Sequence, residues 1–401
     1  MARVAITGMG MISALGRNVP ENWVALSEGR AGIGPITAVD TTNLKFKNGA
    51  EVGGFNPEEY SLKTDYLDRF AQFAAVAARE AVQTSGLNFT PELGDRSAVI
   101  TGSCVGGQNT SDAGFVELYR KNNPRVNPMT IPRTMANGGA SFIATEHHIR
   151  GPVYTISTAC SSSNHAIGQA FWMVRSGAVE VAITGGSEAP FSFGFLKAWE
   201  AMRVVSPETC RPFSKDRKGL ILGEGAAMLV LESLERAQAR GAEILGEIVG
   251  FGMSSDAGHI TAPSEEGAAM AMEAAMRDAQ VSPMEIGYIN AHGTGTALND
   301  STETQAIKLA MGPQAKSVAV SSTKSMHGHA LGAAGALEAV ATAMALKTGV
   351  LPPTANFNEA DPACDLDVIS NEARRQQVEY AMSNSFAFGG LNAVLVFRRF
   401  Q

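Results

Sequence analysis

Two stretches of ten residues decide the fold: VAITGMGMIS, Val4 to Ser13, and GEIVGFGMSS, Gly246 to Ser255. In register, Gly8, Gly10, Met11 and Ser13 match Gly250, Gly252, Met253 and Ser255, so the chain reads as a duplication. Each stretch is followed by an Ala-rich helical pattern (RFAQFAAVAAREAVQ; GAAMAMEAAMRDAQ) and a strand (SAVITGS; IGYINAHG). A second strand then runs into a helix (VYTISTACSSSNHAIG; SVAVSSTKSMHGHALG). This alternation predicts an α/β fold of parallel strands with helices on both faces, in two halves, residues 1–240 and 241–401. In this register Cys160 and the Lys324 to His329 turn occupy equivalent places and face each other across a pseudo-twofold axis. GMGMIS after a strand also fits the start of a dinucleotide fingerprint. Ser13 replaces its third glycine, however, and the echo in the second half implies a structural turn common to both halves.

The 401 residues are 45% hydrophobic and 18% charged with 42 glycines, which is the composition of a globular protein with a large core. The chain enters a strand at once, without a basic and apolar leader, and no apolar run reaches the roughly 18 residues of a membrane span. Cys104, Cys160, Cys210 and Cys364 are too irregularly spaced for a disulfide framework. A cytoplasmic location is expected, with no membrane partner. There is no phosphate-binding GxxxxGK[ST] and no basic, aromatic-rich stretch, so no nucleic acid partner is expected.

Chemistry concentrates at three strand exits. Val153 to Ser157 is a β-branched strand that stops near Cys160, where a helix begins. A thiol there meets unpaired N–H groups and the positive end of the helix dipole, which favour thiolate and can hold an oxyanion. The bland alternative is a buried structural cysteine. Tyr288 to Ala291 delivers His292 into a Gly/Thr turn, and Ser317 to Ser321 is followed by Lys324, His327 and His329. A thiol and two imidazoles at the same kind of exit point to nucleophilic catalysis rather than packing. With no CxxC pair and no histidines at i, i+4, no metal is expected there.

On these residues the chain resembles the elongating β-ketoacyl-acyl carrier protein synthases of type II fatty-acid synthesis, in the thiolase superfamily. The likeness covers almost the whole length. It rests on TACSSS, NAHGTGT, SSTKSMHGH with LGAAGALEA, GEGAAMLVLE and SNSFAFGGLNAVLVF. LKAWEAMRVVSPETCRPFS and HITAPSEEG look more like the nodulation protein E branch. The resemblance implies a thiolase-like fold of two half-domains layered α/β/α/β/α. It implies decarboxylative condensation of an acyl group on Cys160 with malonyl-acyl carrier protein, with His292 and His329 as donors to the enolate oxygen. Lys324 is expected to be buried beside Glu303. Thr261, Thr294, Thr296, Phe386 and Phe388 are the expected substrate contacts, with Phe388 as gate. No organic cofactor is implied, because phosphopantetheine arrives on the carrier. A structural monovalent cation near Asn290, Glu338 and Ser383 is compatible with the resemblance. A homodimer is expected, its sheet continued by the strand before Cys160. A non-catalytic chain-length partner subunit usually lacks the nucleophile, so Cys160 argues against that role.

Several positions depart from the family pattern. His327 stands where relatives carry a small residue, Ala387 replaces a glycine of the gate and Leu391 a threonine. Gln108, Asn109 and Thr110 are polar in a region that usually helps line the acyl pocket. The net charge of -7 opposes docking of an acidic carrier protein, so docking requires a local basic patch. The candidates for it are Lys63, Arg69, Arg120, Lys121, Arg125 and Arg203.

Overall fold

The structure, a computed structural model, describes residues 2–62 and 64–401; Lys63 therefore lies outside the described residues. Five strands build the framework of the first half: β1 (Val4–Ser13), β2 (Ser97–Gly102), β3 (Val153–Ile156), β4 (Val181–Glu188) and β5 (Gly225–Ser233). The second half supplies β6 (Gly246–Ser255), β7 (Ile286–Asn290), β8 (Ala319–Ser321), β9 (Asp367–Val368), β10 (Tyr380–Ala387) and β11 (Leu391–Arg398). They form one ladder of 11 strands in the order β9-β8-β7-β10-β11-β6-β1-β5-β4-β2-β3. Read outward from the β6–β1 junction, β1-β5-β4-β2-β3 mirrors β6-β11-β10-β7-β8, which is the duplication seen in the sequence. The expectation of parallel strands holds only for the outer part of each half. β4, β2 and β3 run parallel, as do β10, β7 and β8, whereas β1–β5–β4 and β6–β11–β10 are antiparallel. The three-residue turn between β10 and β11 allows a hairpin and no crossover.

The layering follows from side chains alternating along the strands. In β5, Ala227, Leu229 and Leu231 join the central core, while Ala226, Met228 and Val230 join an outer one; β11 divides its residues in the same way. The central core holds two helices, α2 (Ser162–Arg175) and α4 (Ala334–Thr348), which pack on each other between the two halves of the sheet. α1 (Arg69–Ser85) covers the outer face of the first half, and α3 (Glu265–Ala279) that of the second. The result is the α/β/α/β/α arrangement. α4 is buried nearly all round, as a helix between two sheets must be.

The repeated glycines are not in a turn. Gly8 and Gly10 lie within β1, where a Cβ would overlap the carbonyl oxygens of Ala81 and Ala77 in α1. Gly250 and Gly252 lie within β6, where a Cβ would overlap those of Ala275 and Ala271 in α3. The glycine pair in each half lets a helix backbone lie directly on a strand. That is what GMG and GFG encode, and it leaves no phosphate cradle.

Candidate active site

The duplication sets the nucleophile. Both central helices are entered through a tight turn, Ala159–Ser161 before α2 and Leu331–Ala333 before α4. Each turn begins on a non-glycine residue in left-handed backbone, Ala159 at φ 49° and Leu331 at φ 45°. That conformation costs on the order of 1–3 kcal/mol, so two matched instances mark a constrained junction. In this alignment Cys160 corresponds to Gly332, and not to the Lys324–His329 turn as the sequence register implied. The second half inserts residues 322–330 between strand and helix, where the first half has only Ser157 and Thr158. A Cβ on Gly332 would run into the Cys104 backbone and Glu188 Oε2, so only one of the two junctions can carry a side chain. The Ser163 hydroxyl donates to the Gly332 carbonyl and ties the junctions together.

The insertion carries His329 to the thiol, and the turn after β7 brings His292. The cysteine sulfur and one nitrogen from each of His292 and His329 lie within 4.8 Å of one another, and all three residues are buried. The two rings meet edge to face with centroids 5.4 Å apart. Burial and the Lys324 cation push both histidines well below their ordinary pKa, so both are neutral at physiological pH. Their tautomers are fixed from behind. The Leu331 backbone N–H donates to His329 Nδ1 at 3.2 Å, and Lys324 Nζ, which can only donate, lies 3.3 Å from His292 Nδ1. Each ring therefore carries its proton on Nε2. A metal-binding histidine needs the opposite arrangement, an acceptor behind the ring. This Cys-His-His cluster is thus built to donate hydrogen bonds rather than to hold an ion.

His327 belongs elsewhere. Its Nδ1 lies 2.8 Å from the Gly328 carbonyl and its Nε2 2.9 Å from Thr323 Oγ1, so it braces the turn and does not line the cavity. Burial lowers its pKa to about 3, which keeps it neutral.

Lys324 is buried, but its partner is not Glu303. It pairs with Glu338 of α4, and both side chains have zero exposure. Glu303 instead accepts the backbone N–H groups of His292 at 2.8 Å and Gly293 at 2.7 Å, and the Asn384 amide at 3.2 Å. Burial raises both Glu303 and Glu338 to about 7. A third carboxylate escaped the sequence reading altogether. Glu188, at the end of β4, accepts from Ser103 Oγ and from the N–H groups of Cys104, Val105 and Gly332, and burial lifts it to about 7. Its signal was the one charged residue of its strand, VAITGGSE, at the strand's end.

Thiolate stabilisation by the helix terminus is outweighed by desolvation. Burial pushes the Cys160 thiol up to about 11, against the lowering effects of Lys324, the Phe388 N–H and its own N–H. The resting group is a thiol.

A cavity of about 380 Å³ leads from Cys160, His292 and His329 outward. Thr261, Thr294, Thr296, Phe386 and Phe388 all line it, as expected, together with Trp199, Arg203 and Leu298. Gln108, Asn109 and Thr110 do not. Thr110 is turned to Asp68, with its N–H and hydroxyl bonded to Asp68 Oδ2 at 2.8 and 2.6 Å, and Asn109 faces a separate surface groove. Ala387 is the last residue of β10 and is paired with Leu391, so its replacement of glycine does not restrict the gate. The positive φ values fall at Gly389, 88°, and Gly390, 68°.

The basic candidates separate. Arg69 holds the buried carboxylate of Glu224 through two bonds, 2.9 and 2.6 Å, and is a structural residue. Lys121 is paired with Glu117. Arg120 and Arg125 are exposed, and Arg203 lies at the cavity without a carboxylate partner among the described residues.

A thiol between two imidazole donors, at the end of a tunnel, defines an enzyme that transfers acyl groups and forms carbon–carbon bonds. The chain belongs to the β-ketoacyl synthase family: the Beta-ketoacyl synthase N-terminal domain matches residues 1–237 and the C-terminal domain residues 245–358. It is 46% identical over 398 residues to Nodulation protein E of Rhizobium sp. (strain N33), covering 99% of each chain. It is 43% identical to 3-oxoacyl-[acyl-carrier-protein] synthase 2 of Staphylococcus aureus (strain COL), covering 100% of this chain and 99% of the relative. Among solved structures, the ishigamide ketosynthase/chain length factor superposes with a TM-score of 0.94 at 39% identity, covering 100% of both chains.

Proposed function

We propose that the chain elongates acyl groups carried on an acyl carrier protein, with Cys160 as the acylated nucleophile. The observation that carries the reading is the pair of fixed Nε2–H donors beside the sulfur. The Cys160 sulfur forms a bond to the acyl carbon, the bond to the pantetheine sulfur breaks, and the thiol proton leaves on the released pantetheine. Malonyl thioester then loses carbon dioxide; its enolate oxygen takes hydrogen bonds from His292 and His329, and its carbon attacks the acyl carbon. Cys160 departs as the thiolate and takes a proton from solvent. Donors fixed in a dry site stabilise the enolate without reorganisation. Lys324 keeps the His292 tautomer, Glu338 balances Lys324, and Glu303 anchors the His292 backbone. Replacing Cys160 by Ala is expected to abolish both acyl-enzyme and condensation, while Cys160→Gln is expected to retain malonyl decarboxylation. An acyl adduct elsewhere in the Ala variant, seen by intact mass, overturns the assignment.

Asn290 Oδ1, Glu338 Oε2 and Ser383 Oγ are buried without hydrogen-bond partners among the described residues. Oxygens of this kind are the donors a structural monovalent cation takes, and such an ion would satisfy them. No organic cofactor is needed. The proposed assembly is a homodimer continued through β3, which ends the sheet and exposes Tyr154. A nearby sequence stretch is also rich in exposed apolar side chains, Phe115, Tyr119 and Ile131 among them. The four free cysteines agree with a reducing cytoplasm, and no described helix is long and apolar enough to cross a membrane. A specialised condensing role is favoured by the similarity to Nodulation protein E. Turnover with saturated and unsaturated acyl-carrier substrates separates the two roles.

A further inference from the structure

The gate has a partner that its backbone does not explain. The Phe388 ring stacks on Trp199, centroids 6.2 Å apart and planes 22° from parallel. Both rings line the cavity that holds Cys160. The Phe388 backbone N–H is near enough to the Cys160 sulfur to favour its thiolate, so displacing this segment also alters the surroundings of the thiol. Two backbone bonds add to the restraint: the Gly389 N–H to the Ile260 carbonyl at 2.7 Å, and the Asp256 N–H to the Gly390 carbonyl at 2.9 Å. Gly389 and Gly390 supply the left-handed backbone on which the segment can turn. Trp199 is anchored from its own side, packed against an apolar cluster that contains Leu196, Leu220 and Leu331. A fixed aromatic surface thus faces a hinged one.

We propose that Trp199 is a positioning residue that latches Phe388 across the thiol, so that the gate must be opened for every acyl group but stays open in the bound complex only for chains with enough apolar surface to hold it. The proposal rests on the condensing-enzyme reading above. A stacked aromatic pair biases a two-state gate by roughly 2- to 12-fold. A long acyl chain gains enough by burial to hold the gate open once bound; an acetyl group does not.

This model of the gate has a kinetic signature that a wall residue lacks. Opening is part of the barrier from free enzyme for every acyl group, so losing the latch raises kcat/KM for acetyl and palmitoyl transfer by the same factor. At saturation only the short chain still contends with a closed gate, so only its rate rises. The test is acylation of Cys160, followed by quenched-flow intact mass, with acetyl- and palmitoyl-pantetheine thioesters. Trp199→Ala is expected to raise kcat/KM for both by roughly 2- to 12-fold, to raise the saturated rate for acetyl alone, and Trp199→Phe to stay near the parent. An unchanged profile, a fall for both, or a change in the ratio of the two kcat/KM values overturns the latch. Equal damage in the Trp199→Phe variant does the same. Absence of any Cys160 adduct in the parent protein would instead remove the condensing-enzyme reading, and the latch with it.

Discussion

The junctions before α2 and α4 have the same backbone and opposite content. Ala159 and Leu331 take the same left-handed turn, and each leads into a central helix. The first places a thiol on the next residue; the second places Gly332, whose lack of a side chain leaves room for Glu188 and the Cys104 backbone. Seven residues into the turn and helix the contrast repeats, with Ala166 in α2 where α4 has Glu338. One half thus supplies the nucleophile at the head of a helix that carries no charge at the matching position. The other uses an insertion and a buried ion pair to aim two imidazoles at it. Duplication supplied the frame, and the chemistry came from breaking its symmetry.

The largest effect is expected where the symmetry breaks. Glu338→Ala leaves Lys324 as an uncompensated buried charge and should cost about 3–5 kcal/mol, read by urea unfolding. A loss well under that range would mean that the ion pair is not what separates α4 from α2. The repeated glycines offer a sharper comparison, because the two halves should respond alike. Gly10→Ala and Gly252→Ala each force a helix off its strand and should cost roughly 1–3 kcal/mol or more, measured in the same way. Tolerance in one half alone would show that the halves do not share this packing device. The smallest effect belongs to the surface. Arg203→Glu should raise KM for carrier-bound thioester by up to about 5-fold, in keeping with an exposed charge, and raise KM for a carrier-free pantetheine thioester by less. Arg69→Glu, in contrast, should destabilise the fold, because it confronts the buried Glu224 with a second carboxylate.

Much of this was legible in the residues. The glycine repeat carries the duplication, since close helix–strand approach needs glycine at fixed spacing. Cys160, His292 and His329 were found because each follows a strand-like run at a strand exit. What the sequence hid was side-chain partnership. Lys324 lies between Glu303 and Glu338 in sequence, and which carboxylate it reaches depends on how α4 is rotated in the central layer. A lone Glu in the otherwise small and apolar LGAAGALEA was the available clue. Arg69 looked like a docking charge because an arginine at a helix start carries no sign of a buried glutamate some 155 residues further on. The thiol misled for a different reason: the helix terminus favours thiolate, but burial is the larger effect, and burial is not written locally.

The most direct test separates the two half-reactions in His292→Ala and His329→Ala. Intact mass reports acylation of Cys160, and released carbon dioxide reports decarboxylation of malonyl thioester. If fixed Nε2–H donors serve the enolate, both variants still form the Cys160 adduct, and carbon dioxide release falls about 100- to 1000-fold. Loss of the adduct with decarboxylation intact would contradict that assignment, as would a His327→Ala variant that loses carbon dioxide release while His329→Ala retains it.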